Sequence, residues 1–220
     1  MRRFLIPLLG VAAGAVLAAC SDSSTSQCFE SGATAYDVFA NGDTSKIFHW
    51  LPADMPVRVY AEPQDSLPQN ALRGMQLWVG AFRCNELSLQ LWSDSATADI
   101  VMRNPSSLPP PSAPGGSLAA GDSVMACVGR TDFTLDSNGL MIRPIRSYVA
   151  ANGIDTGATN ACYHFVTAHE LGHALGLLAH SPNPNDIMYA VPSHTTLSLD
   201  DKYTIQLLYH FNAPIKPEPR

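Results

Sequence analysis

The sequence predicts an α+β domain on a mixed sheet, and three features of its hydrophobic pattern carry that prediction. Val57-Arg58-Val59-Tyr60 and Leu87-Ser88-Leu89-Gln90-Leu91-Trp92 alternate apolar and polar residues, as half-buried strands do. Between them, Leu72, Met75, Trp78, Val79 and Phe82 recur at helical spacing. Further strand candidates follow, and then two more helical segments. The order strand, helix, three or four strands, helix, irregular turn, helix is that of an α+β fold.

Taken from the N-terminus, residues 1–19 read as an export signal. Arg2 and Arg3 give a positive start, and residues 4–17 are almost wholly apolar but shorter than the roughly 20 residues a membrane span needs. The segment closes on Leu17-Ala18-Ala19-Cys20, which resembles the bacterial lipoprotein box. That resemblance implies cleavage before Cys20, lipidation of its thiol, and a protein exported and lipid-anchored to the bacterial cell envelope. Ser21 in the next position is compatible with the outer membrane. Each buried methylene of a lipid contributes about 0.8 kcal/mol, so several acyl chains anchor lastingly where one holds only marginally. The polar run 21–27 reads as a flexible tether. Residues 28–54 carry weak signals, so 20–54 are expected to form the tether and an irregular N-terminal segment.

The folded domain is expected to span 55–212, with 213–220 as a C-terminal tail. Its first strand covers 57–60, with Pro63 and Pro68 punctuating the turn after it, and its first helix covers 70–84. Strands follow at 87–92 and 98–102. Residues 104–117 hold five prolines and two glycines and must be a surface loop. Segments 123–128 and 140–145 are short strand candidates. A helix rich in Ala and Leu covers 160–178. The last helix begins at Ser198, where Ser198-Leu199-Asp200-Asp201 resembles a capping box and Ile205, Leu207 and Leu208 form the apolar face.

The formal charge of −6 becomes −8 once Arg2 and Arg3 leave with the signal, and an acidic surface argues against nucleic acid as a partner. Four cysteines remain after Cys20: Cys28, Cys84, Cys127 and Cys162. An even number in an exported protein suggests two disulfides, in one of three pairings.

Residues 169–180, His-Glu-Leu-Gly-His-Ala-Leu-Gly-Leu-Leu-Ala-His, carry the chemistry. His169 and His173 are four apart, so both imidazoles share one helix face, a pair that suits zinc. Glu170 is rotated by about 100° from His169, where it can reach a metal-bound water without being a ligand. Gly176 can end the helix in the left-handed conformation. His180 then follows as the third ligand candidate. Of the other histidines, His164 lies off the ligand face, and His49, His194 and His210 have no ligand spacing.

Shortly after comes Asp186-Ile187-Met188-Tyr189, which resembles the Met-turn of the metzincins. With the His-Glu-x-x-His run and His180-Ser181, the chain looks most like matrixins and their bacterial relatives. Leu197 to Asp201 is similar to the start of that family's last helix, and Ala98-Asp99-Ile100 to its central strand. One departure stands out: the family pattern has two residues between the glycine and the third histidine, whereas Leu177, Leu178 and Ala179 make three here. The family's usual third-ligand position is therefore Ala179, which cannot bind metal, and the loop must deliver His180 instead.

The resemblance implies a twisted, mixed, five-stranded sheet with an active-site helix, a Met-turn and a C-terminal helix. It implies an endopeptidase that hydrolyses peptide bonds through a zinc-bound water activated by Glu170, with zinc on His169, His173 and His180, and Met188 as structural support. Tyr189 is a candidate for the substrate pocket. An antiparallel edge strand, placed at 123–128, would bind extended peptide or protein substrates. The domain is expected to be a monomer made in active form, because residues 21–54 are short for a zinc-blocking propeptide. Calcium sites of the family find no convincing carboxylate cluster in this sequence. The rival reading is a lipoprotein binding module that keeps the zinc-protease fold without catalysis.

Overall fold

Strand β1 (Val57–Ala61) buries Val57, Val59 and Ala61 and leaves Arg58 and Tyr60 half-buried, as its alternation predicts. The computed structural model describes residues 28–37, 44–105, 108–109, 117–119, 127–151 and 156–220. After β1 come α1 (Leu67–Val79), β2 (Leu89–Trp92), β3 (Ile100–Arg103), β4 (Ser117–Ala119), β5 (Cys127–Asp132), β6 (Ile145–Ala151), α2 (Thr156–Ala174) and α3 (Leu199–His210). The segments read as an export signal and a polar tether, with Cys20 between them, lie outside the described residues, as does most of the proline-rich loop.

One sheet has the order β2-β1-β3-β6-β5-β4. Its first four strands are parallel, while β5 runs antiparallel to β6 and β4 antiparallel to β5. This is the mixed sheet expected of the α+β fold, its five longer strands joined by a three-residue sixth. Helix α1 buries Leu67, Ala71, Met75 and Trp78 along one face and packs on α2, which lies over β5 and β6. The two helices approach closely where a Cβ on Gly74 would sit 3.3 Å from the Ala168 Cα.

Several boundaries differ from the hydrophobic pattern. Helix α1 starts at Leu67 because Pro68, read as a turn residue, is accommodated in a first turn whose N–H groups need no partner. The strand expected at 123–128 runs Cys127–Asp132, residues 123–126 being outside the described set. Strand β4 pairs with its second half, at Arg130, Thr131 and Asp132, so that half is not the sheet edge. The strand expected at 140–145 begins only at Ile145. Pro144 has no N–H for a ladder. Met141 pairs instead with residues of the C-terminal tail, donating to the Lys216 carbonyl and accepting from the Glu218 N–H.

The described residues of the N-terminal segment, 28–37 and 44–54, supply part of the core. Phe48 and Trp50 are fully buried, and the Trp50 indole donates to the Ala174 carbonyl at 3.0 Å. Of the three cysteine pairings, the structure contains Cys28–Cys84, tying this segment to the chain just after α1. The side chains of Cys127 and Cys162 are outside the described set.

Candidate active site

Helix α2 is pinned on two sides before it presents any functional group. The Trp78 indole donates to the Ala168 carbonyl at 2.8 Å. Below the helix, Gly172 leaves room for Met188, since a Cβ there would come within 2.5 Å of the Met188 sulfur and 2.6 Å of the Trp78 ring. His169, Glu170 and His173 all lie completely buried on this helix.

The helix ends in a Schellman turn. Gly176 N–H donates to the His173 carbonyl and Leu177 N–H to the Gly172 carbonyl, with Gly176 at φ +115°. A side chain at Gly176 would also strike the Phe48 carbonyl oxygen, 2.1 Å from the Cβ position. The reversal carries the chain back over three residues, so His180 returns to the two helical histidines. Its Nε2 lies 3.3 Å from that of His173, which is 3.0 Å from that of His169.

Hydrogen bonds on the far side of two rings set their chemistry. His169 Nδ1–H donates to the Ile187 carbonyl at 2.7 Å, and His173 Nδ1–H to the Leu177 carbonyl at 2.5 Å. A carbonyl can only accept, so Nδ1 carries the proton and Nε2 presents a lone pair. Burial then holds both rings neutral. It lowers His169 to about 3, partly offset by the Ile187 bond, and drives His173 far below the ordinary histidine value. Burial also lowers His180.

Lone pairs facing one another at 3.0 Å repel unless a cation lies among them. Ligand nitrogens around a tetrahedral zinc, each at about 2.05 Å, are spaced by about 3.3 Å. The donor set therefore fits zinc. Among the described residues, the other cluster of ligand-type side chains is Cys28, Cys84 and Glu86. Its two sulfurs are joined as a disulfide and offer no thiolate.

Glu170 lies against β5. Burial raises its carboxyl to about 8, against the opposing influences of a hydrogen bond from Thr131 and the charge of Arg130. Thr131 donates to Oε2 at 2.7 Å. The other oxygen, Oε1, is buried with no hydrogen-bond partner among the described residues. A buried acceptor left without a partner is costly, so this oxygen has bonding capacity that the described residues do not use.

The turn at residues 186–189 supports the helix from below. Met188 is fully buried, and Ser181 hydrogen-bonds to the Asp186 carboxylate at 2.5 Å. Tyr189 is half-buried beside it and pairs with Ser181. The Asp201 carboxylate, in the cap of α3, accepts from Ile187 N–H at 2.9 Å and Met188 N–H at 3.3 Å.

The structure thus gathers His169, His173 and His180, sets Glu170 beside His169 on the helix, and places Met188 beneath. His164 lies apart, half-buried near Arg73 and lowered by burial and by that charge. His49 sits between the carbonyls of Trp50 and Phe211. His210 faces Glu86 at 3.7 Å. The sequence does not mark Gly129 and Thr131 as neighbours of Glu170, Ser147 as the partner of Thr131, or the hold of Asp201 on the turn. Gly129 offered one signal, a glycine inside a strand marking close approach.

A family model described as matrixin matches residues 91–210, from β2 to the end of α3. Macrophage metalloelastase of Rattus norvegicus is 50% identical over an alignment of 56 residues that covers 23% of this chain and 11% of that protein. That match takes in about a tenth of the relative's length. The family match covers more than half of the chain, including His169, Glu170, His173, His180 and Met188, and the chain belongs to the matrixin family.

Proposed function

We propose that this protein is a zinc-dependent endopeptidase acting on peptide or protein substrates. The observation that carries the reading is the convergence of three neutral imidazole nitrogens at the helix that carries a buried carboxyl group, one of whose oxygens has no partner among the described residues. His169, His173 and His180 would hold the metal, which when bound supplies a Lewis acid for the peptide carbonyl and for water. Ile187 and Leu177 fix the tautomers of the first two ligands through their carbonyls. Met188 fills the space under α2 and keeps the ligand pair in place.

Glu170 takes one proton from the water that attacks the peptide carbonyl and delivers it to the leaving amide nitrogen. One water is consumed, the C–N bond breaks, and the carboxylic acid and amine formed exchange the second proton to leave as carboxylate and ammonium. Its burial suits this task, because a carboxyl lifted from the usual range is a stronger base once ionised.

The purified mature protein is expected to contain about one zinc per chain and to cleave unstructured peptides. Cleavage should disappear on chelation and in Glu170→Ala, with zinc retained in that variant. Zinc without any cleavage would leave a binding module, and no zinc would remove the reading altogether. The domain is further read as anchored in the bacterial envelope by lipid on Cys20, on the strength of the Leu17-Ala18-Ala19-Cys20 sequence.

A further inference from the structure

Gly129 and Thr131 are two apart on β5 and so share one face of the strand. The Glu170 side chain lies along it. A Cβ on Gly129 would stand 2.2 Å from Oε1 and 2.6 Å from Cγ of Glu170, so the strand gives up a side chain where the glutamate rests. Thr131 then closes on the other oxygen, Oε2, at 2.7 Å. Behind it, in cross-strand register, Ser147 of β6 has its hydroxyl 3.0 Å from that of Thr131. Thr131, Ser147 and Glu170 are fully buried.

A hydroxyl has one proton to give. With Thr131 donating to the carboxylate, Ser147 must donate to Thr131, and two aligned hydroxyls strengthen each other toward the charge. The same Thr131 oxygen is 3.1 Å from the Glu170 main-chain carbonyl, so a purely structural role, tying α2 to β5, is the competing account. Oε1, which has no hydrogen-bond partner among the described residues, separates the two. A structural tie has no need of a carboxylate bonded at one oxygen and bare at the other.

We infer that Thr131, backed by Ser147, is a positioning residue that pins Oε2 of Glu170 and leaves Oε1 as the atom that accepts and returns the proton. This rests on the peptidase reading and names the working oxygen of its base.

The test compares zinc-loaded, full-length mature protein with Thr131→Val, Thr131→Ser and Ser147→Ala, measuring kcat and KM on a fluorogenic peptide, zinc per chain and Tm. In Thr131→Val, kcat should fall at least about tenfold through misplacement of the base, while KM and zinc content stay within about twofold. Thr131→Ser, which restores the hydroxyl, should recover most of the loss, and Ser147→Ala should fall by less than Thr131→Val. Unchanged kcat in Thr131→Val, a serine variant no better than the valine one, or a loss explained by lost zinc would overturn the proposal. Should Thr131→Val fail to fold, wild-type kcat in Ser147→Ala overturns it instead. If the wild-type protein cleaves nothing, the peptidase reading is what fails. The crystal structure of the zinc-loaded protein then decides the positioning alone: Oε2 on Thr131 with Oε1 toward the ion supports it, and any other placement refutes it.

Discussion

At the scale of single residues, the site depends on atoms that are absent as much as on those present. Gly176 combines φ +115° with a Phe48 carbonyl where a Cβ would go. Gly176→Ala should therefore cost at least about 2 kcal/mol, from left-handed strain and from the displaced backbone. A urea midpoint matching the wild type would show that the turn tolerates a side chain. Since the same turn returns His180, zinc affinity should weaken in parallel. Glu170→Gln keeps the shape of the side chain but loses the base, so peptide cleavage should drop by about 10²–10⁴ with zinc retained.

At the scale of elements, the cap of α3 does two jobs. Ser198 accepts from Asp201 N–H at 2.9 Å and donates its own N–H to the Asp201 carboxylate at 3.0 Å, the reciprocal box its sequence suggests. The same carboxylate also holds the N–H groups of Ile187 and Met188, and Ile187 in turn orients His169. Ser198→Ala should thus cost about 1 kcal/mol, an ordinary cap. Asp201→Ala strands two buried N–H groups and should cost about 2–4 kcal/mol. Isothermal titration with zinc distinguishes them: affinity should fall in the aspartate variant and hold in the serine one. The box was legible in four residues, but its second task was not, because nothing local in the sequence says that residues 187 and 188 fold over it.

At the scale of the whole molecule, separate parts of the chain are clasped together outside the histidine cluster. Asp99, fully buried, gathers Arg58, Arg143 and Arg220, and Arg143 also reaches Asp54. Burial alone would raise the Asp99 carboxyl, but Arg220, Arg58 and Arg143 together bring it down to about 2 from an ordinary 3.8. A depressed carboxylate contributes stability above its unfolded value and loses it as the pH falls toward the folded one. Acid unfolding should accordingly remove about 2 kcal/mol between roughly pH 4 and pH 2, a component missing in Asp99→Asn when unfolding is followed by circular dichroism. The residues read as a tail, 213–220, are part of this clasp through Arg220 and through the pairing of Pro217 with Met141. At the other end, Cys28–Cys84 closes a loop of 56 residues. Opening it should cost about 4 kcal/mol by chain entropy, seen as a lower Tm under reduction. Envelope localisation is checked by mass spectrometry of membrane fractions, where an acylated Cys20 peptide is expected and should vanish in Cys20→Ala.

The sequence by itself determined the α+β class, the helical histidine pair with its glutamate, the glycine that ends the helix, and the cap of α3. Each is a local matter, set by periodicity or by residues within a few positions of one another. Tertiary structure alone decided that His180 meets the other two rings despite its extra loop residue, that Met141 pairs with the tail instead of a strand, and that Phe48 and Trp50 complete the core. It also decided what stands around Glu170, since Gly129, Thr131 and Ser147 are distant in sequence and meet only when β5 and β6 pair beneath α2. Short-range patterns specify elements. The contacts between elements depend on which faces are left to bury, and that is settled only when the sheet and helices close on each other.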